Sequence, residues 1–458
     1  MTAAAARETA APDAAASGLQ PRRRAVAVAA VLSSMALVVL DAGVVNLALP
    51  TIAGALQIPA GAVVLVVTAY QAAVLMALLP CGALGERLGY RRVFASGVAL
   101  FTAASLLCAL APSLTWLVAA RFLQGLGGAA IMSVGVALLR FSVPPDRLGS
   151  AIGWNAMTIA LCSAAGPAVG ALVLTLGDWP WLFALNLPLG LGVLLATRAL
   201  PLTRGGGQAI DGVSVLLNAA LFALLIAGAE CLPVLPGLAV ALWLAAILAL
   251  VALVRRERSR TAPLIPLDLL AQRSFATAVI ASVCCFAGQT AALIALPFLL
   301  HDAGLSALET GLQMTVWPLA VAVAAGVVGC FADRTPMAWL CAAGGACLAA
   351  GLAGVALQAP DADSRSLAPL LALCGLGFGL FQTPNNRTLF MAASPERSGA
   401  AGGMQGTARL TGQTTGAVLV TLLFATTSVE ATPRIALVAG AALALTAALV
   451  SASRGRSG

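Results

Sequence analysis

Apolar runs longer than a soluble core needs set what this chain can fold into. They recur at residues 25–49, 62–81, 93–111, 115–139, 150–176, 181–200, 213–230, 236–254, 275–300, 311–331, 338–357, 367–390, 400–427 and 433–451. A helix needs about 20 apolar residues to cross the hydrocarbon core of a bilayer, whereas a spanning strand needs only about 10. Only helices and closed barrels satisfy their backbone there, so runs of this length predict helices. Composition agrees: 60% of the 458 residues are hydrophobic and 9% are charged, against about 25% charged in soluble domains. The chain reads as an all-α polytopic membrane protein with 14 transmembrane helices. The pair 213–230 and 236–254 leaves one alternative, a single re-entrant excursion and twelve spans.

Charge tests that reading. All 25 basic residues are Arg. With the N-terminus inside, 21 of them fall in cytoplasmic segments, while the outer loops hold only Arg365 and Arg434 beside Asp178, Glu230, Asp302, Glu309, Asp361, Asp363 and Glu430. This positive-inside asymmetry predicts an inner-membrane protein with both termini cytoplasmic. The net charge of +8 therefore faces anionic lipid, not nucleic acid. Residues 1–24 read as a disordered tail. A cleavable signal peptide is not expected, because the first apolar run begins at Ala25 and exceeds an h-region. Ten Cys without metal-ligand spacing and the lone His301 predict neither metal nor cofactor.

The first run holds one ionisable side chain, Asp41. An acid at the centre of a spanning helix costs about 2.5–3.5 kcal/mol on insertion scales, which marks it as a functional candidate. The alternative is a hydrogen-bonding acid near the helix end. A repeat is also visible. Gly82 precedes Glu86-Arg87 after the second span as Gly329 precedes Asp333-Arg334 after the tenth. The chain then divides into tail 1–24, a six-helix bundle 25–200, a linker with an inserted hairpin 201–274, a second bundle 275–452 and tail 453–458. Repeats with a site at their interface are the construction of secondary transporters.

Residues 40–50, LDAGVVNLALP, resemble the first-helix signature of fourteen-span drug:proton antiporters of the major facilitator superfamily. The loop from Gly82 through Glu86, Arg87, Gly89, Arg91 and Arg92 is similar to that superfamily's motif between its second and third helices, with Glu86 where Asp is usual. The resemblance implies a cytoplasmic gate, with Asp333 and Arg334 as its counterpart. The alternative there is a solvated charged turn. Arg121, followed by Gln124 and Gly125, resembles the fourth-helix motif with its buried Arg. Counted at about 1.5 Å per residue, Arg121 and Asp41 reach similar depths in the outer half, so a proton-coupling pair is allowed; Arg121 could instead snorkel to the interface. Gly166, Pro167 and Gly170 fit the fifth-helix antiporter motif, although its leading Gly is absent and its last is Ala171. Tyr70 and Gln71 in the second span, Gln124, and Gln405 and Arg409 on one helical face suit a substrate cavity or interhelical hydrogen bonds.

The combined expectation is a proton-coupled antiporter that exports amphipathic small molecules by alternating access, acting in the bilayer as a monomer. A coupling proton needs a titratable carrier, which Arg cannot be, and Asp41 is the acid well inside a span. Lipophilic cations are the favoured substrates, with anions left open by Arg121 and Arg409. An exporter of a specific metabolite or siderophore is the alternative on the same scaffold. An enzyme is not expected, because no His, Asp and Cys constellation shares one depth.

Overall fold

The computed structural model describes residues 20–202, 211–258, 267–331, 336–358, 366–392 and 398–455. Most of the expected tail 1–24 and the Asp333–Arg334 pair lie outside them. Among the described residues every regular element is a helix. The first span, Pro21–Leu56, starts with Pro at its first position, where no N–H is missed. It stops at Gln57, whose left-handed backbone (φ 53°) turns its N–H back onto the Ala53 and Gly54 carbonyls. The second span runs through Ala60–Val63 and Leu65–Leu88. Gly89, at φ 95°, then lets the chain reverse directly into Tyr90–Ala109.

Thirteen helices are long and apolar enough to cross a membrane among the described residues. The remaining expected span, 400–427, is the helix Ser398–Thr426, absent from that set. Its Gly, Thr and Gln residues and Arg409 lower its hydropathy, as befits a helix that faces protein and a polar interior.

Two six-helix halves flank an inserted pair. The same close crossing recurs in both halves. A Cβ at Gly127 would lie 2.8 Å from the Gly97 carbonyl oxygen, and one at Gly377 would lie 2.7 Å from that of Gly344. Backbones this close leave room only for Gly, which is how membrane helices gain packing without a hydrophobic driving force between them.

The inserted pair is two separate helices, Gly212–Cys231 and Pro236–Glu257, in place of a re-entrant excursion. Arg256 grips Asp211 with two bonds of 2.5 and 2.9 Å, and Ser214 donates to buried Glu257 at 2.6 Å. Asn218 ties the first of the pair to the second span through the Met76 carbonyl, 3.2 Å away. Glu230, expected in an outer loop, belongs instead to the last turn of Gly212–Cys231 and is half-buried. The apolar run simply continues helically past it.

The two ends of the bundle differ. At the end carrying Asp302, Glu309 and Glu430, one apolar core joins both halves: Val44, Leu49, Val63 and Phe183 pack in it with Ile294, Phe298, Ala417 and Val420. At the Arg-rich end the first half keeps its own core, around Val31, Leu75, Phe94 and Leu138, and Leu410 alone joins it from the second half. A separate cluster of Leu269, Phe275, Ala278 and Leu389 serves the second half. Apolar packing between the halves is richer at the acidic end; toward the Arg-rich end they meet where Leu78 and Leu79 of the second span lie against Gly406 and Gly403.

Candidate functional site

Four spans of the first half converge on Asp41. Arg121 Nη1, from the fourth span (Leu114–Ser142), lies 2.5 Å from Asp41 Oδ2. Gln124 Nε2, one turn on, donates to Asp41 Oδ1 at 2.9 Å. Asn186 Nδ2 reaches the same oxygen at 2.8 Å from the sixth span. Ser105, on the third span, accepts from both amides, at 2.9 Å from Gln124 and 3.4 Å from Asn186. The ion pair is buried from solvent, with both side chains 1% exposed.

Burial of this kind is tolerated only when polar groups are satisfied, and here they are. Gln124 uses both donors and both acceptor positions, its Oε1 taking Arg121 Nη1 at 2.5 Å and the Cys108 thiol at 3.7 Å. Arg121 Nε donates to the Val66 carbonyl at 3.2 Å, and its guanidinium carbon sits 4.3 Å from the Tyr70 ring centroid and 5.7 Å from that of Phe183. Aromatic rings contribute about 2 kcal/mol or more to such a cation once water is gone. A carboxylate has about four acceptor positions, and three on Asp41 are taken. The fourth is open among the described residues.

The fifth-helix residues brace this cluster. A Cβ at Gly43 would lie 3.2 Å from Gly166 Cα, and one at Gly170 would lie 3.3 Å from Val44 Cα. The first and fifth spans thus touch through backbone two residues from Asp41. Across the seam, a Cβ at Gly311 of the tenth span would meet the Pro167 carbonyl oxygen at 2.7 Å. Gly166, Pro167 and Gly170 therefore form a three-helix junction beside the buried pair.

Asp41, Arg121, Gln124 and Tyr70 are brought together. Gln71, Gln405 and Arg409 are not part of that network. Gln405 Nε2 donates to Asn386 Oδ1 at 3.2 Å, and Gln71 Oε1, Tyr70 Oη and Arg409 Nε are buried atoms without a partner.

Among the described residues the expected gate residues make no latch contact. Glu86 and Arg87 are exposed, with no hydrogen bond among the described residues. A Cβ at Gly82 would meet nothing within 4 Å, so Gly82 makes no close helix approach. Gly85 does that instead, packed on Tyr90 and Val134. Glu86 and Arg87 sit in the last turn of the helix Leu65–Leu88, at its exposed end.

Asn186 and Ser105 belong to the site and were not singled out from sequence. Asn186 follows a one-residue discontinuity at Leu185, between Pro180–Ala184 and Asn186–Ala196. An Asn in so apolar a span was the available signal. Ser105 gave none, since a lone Ser in a span commonly bonds its own helix, as this one does to Phe101 at 2.8 Å.

The profile of the Major Facilitator Superfamily matches residues 31–417 and again 278–456. An uncharacterized transporter of Escherichia coli, YebQ, is 41% identical over 452 residues, covering 97% of this chain and 98% of its own. The tetracenomycin C resistance and export protein of Streptomyces glaucescens is 29% identical over 423 residues, covering 90% and 77%. The crystal structure of a peptide transporter, POT, in complex with sulfate shares the fold at a TM-score of 0.70, with 16% identity and 94% of each chain covered.

Proposed function

The chain belongs to the Major Facilitator Superfamily, a multi-pass membrane transporter of small molecules, and from that premise we propose that it is a proton-coupled antiporter exporting amphipathic compounds by alternating access. The observation that carries this reading is the Asp41–Arg121 pair, sealed from solvent beside the seam between the halves. In this reading Asp41 is the proton carrier and Arg121 its partner. Relatives named for drug resistance and export support the direction.

The mechanism follows from charge balance inside a low dielectric. A proton added at the open acceptor position of Asp41 cancels its charge and leaves Arg121 as an uncompensated buried cation. Breaking a buried pair in this way costs about 3–5 kcal/mol, enough to shift a two-state equilibrium from one conformer to the other. The first, fourth and sixth spans that hold the pair, with the fifth span braced on Gly43, would transmit that loss to the seam. In this reading the Arg-rich end is cytoplasmic, and the Glu86–Arg87 loop closes that side in one state of the cycle.

Asp41→Asn fixes the neutral form with little change of shape. Efflux and substrate-induced proton release are read in proteoliposomes across an imposed pH gradient. The variant should lose all concentrative transport while still equilibrating substrate. Accumulation by Asp41→Asn on the pH gradient alone places the coupling acid elsewhere.

A further inference from the structure

The two arginines inside the spans are in opposite electrostatic situations. Arg121 is neutralised by Asp41. Arg409 stands about 17 Å into the helix Ser398–Thr426, counted at about 1.5 Å per residue. It has no hydrogen bond and no carboxylate partner among the described residues, and its Nε is a buried donor left empty. A guanidinium cannot shed its charge, and an unpaired cation at membrane depth is expensive. It persists where something else supplies the counter-charge.

The surroundings fit a ligand. Gln405 and Gln413 flank Arg409 at intervals of four on the same helical face. The second span packs against this helix, with Leu78 and Leu79 against Gly406 and Gly403. It presents Tyr70 Oη and Gln71 Oε1, both buried and unpartnered, and Tyr70 is within electrostatic reach of Arg409. These groups lie on the two spans that face each other across the halves. Asp41, by contrast, is already paired with a cation: three donors occupy it, and its side chain is 1% exposed.

We propose that Arg409 is the counter-charge for an amphipathic organic anion, such as an aryl carboxylate, bound between the second and thirteenth spans. The assignment rests on the reading of this chain as a small-molecule transporter and reverses the sign expected from Asp41 alone. The guanidinium fork takes the carboxylate in two parallel bonds, Gln405 and Gln71 supply neutral contacts, and the apolar walls take the ring system.

The test uses the full-length protein in detergent and matched naphthyl, anthracenyl and pyrenyl probes. Each ring system ends in a carboxylate, a primary amide or an ammonium, and affinity is read by thermal shift and by equilibrium dialysis. Carboxylates should bind at least about tenfold more tightly than their amides, the size expected of a charged hydrogen bond. Arg409→Gln should abolish that preference, and Arg409→Lys should restore part of it. The proposal is overturned if ammonium probes bind as tightly as carboxylates, if no carboxylate binds, or if Arg409→Gln keeps the preference. Proton coupling is judged separately on Asp41→Asn, so either idea can fail while the other stands.

Discussion

The two halves of this repeat protein handle intramembrane charge in opposite ways. In the first half an acid and a base meet, and two amides and a hydroxyl complete their hydrogen bonds. In the second half the polar stripe of Gln405 and Arg409 has one side-chain bond, from Gln405 to Asn386. A satisfied network is rigid and expensive to disturb, so it suits a switch that one proton can throw. An unsatisfied cation gains from whatever arrives to pair it, so it suits a binding site. The same close crossing recurs in the two halves, at Gly97–Gly127 and Gly344–Gly377, while the polar side chains differ.

The sharpest way to break this contrast is to unpair the first half. Arg121→Gln leaves Asp41 buried without its counter-charge and should cost about 3–5 kcal/mol of stability, read as thermal unfolding in detergent. The double variant with Asp41→Asn should recover most of it. Equal losses in single and double variants would show that the two residues act independently. Next in size, Arg121→Lys keeps the charge but not the planar fork. Transport should fall by about tenfold or more with the fold intact, and wild-type efflux would make the fork irrelevant.

Asn186→Ala removes one of the two donors to Asp41 Oδ1 and should cost about 1 kcal/mol, with a shift in the pH dependence of efflux. An unchanged pH profile would reduce Asn186 to helix packing. Glu86→Gln touches a side chain that is exposed and unpartnered in this state, so stability should hardly move. Single-Cys labels near the Arg-rich ends of the second and tenth spans should become more accessible, because the closed state loses a contact; unaltered labelling with normal efflux leaves Glu86 an ordinary loop charge. The smallest expected loss of stability is at Arg409. Its replacement by Gln removes an unpaired buried charge and should not destabilise the fold. A large loss there would mean that Arg409 is already satisfied, and the contrast between the halves would collapse.

Much of the fold was legible in the sequence because hydropathy is a local property. Run length alone gave helices and their order, and the inserted pair proved to be two helices as the longer count required. Depth counting from Pro50 also put Asp41 and Arg121 within reach of one another, since the rise of a helix is fixed. The boundaries were less legible. The first span extends to Pro21 and Leu56, and Glu230 belongs to a helix, because helices outlast the hydrocarbon they cross.

What only the tertiary structure decided is which polar groups are satisfied. Asn186 and Asp41 are 145 residues apart in the chain, and no periodicity links them; the packing of the sixth span against the first does. That packing also made Gly85, not Gly82, the tight contact at the end of the second span, and left Arg409 without a side-chain partner among the described residues while Arg121 was paired. Sequence assigns charges to depths. Whether a charge at a given depth is neutralised or waiting depends on the neighbours that close around it, and those are set by helix packing across the whole molecule.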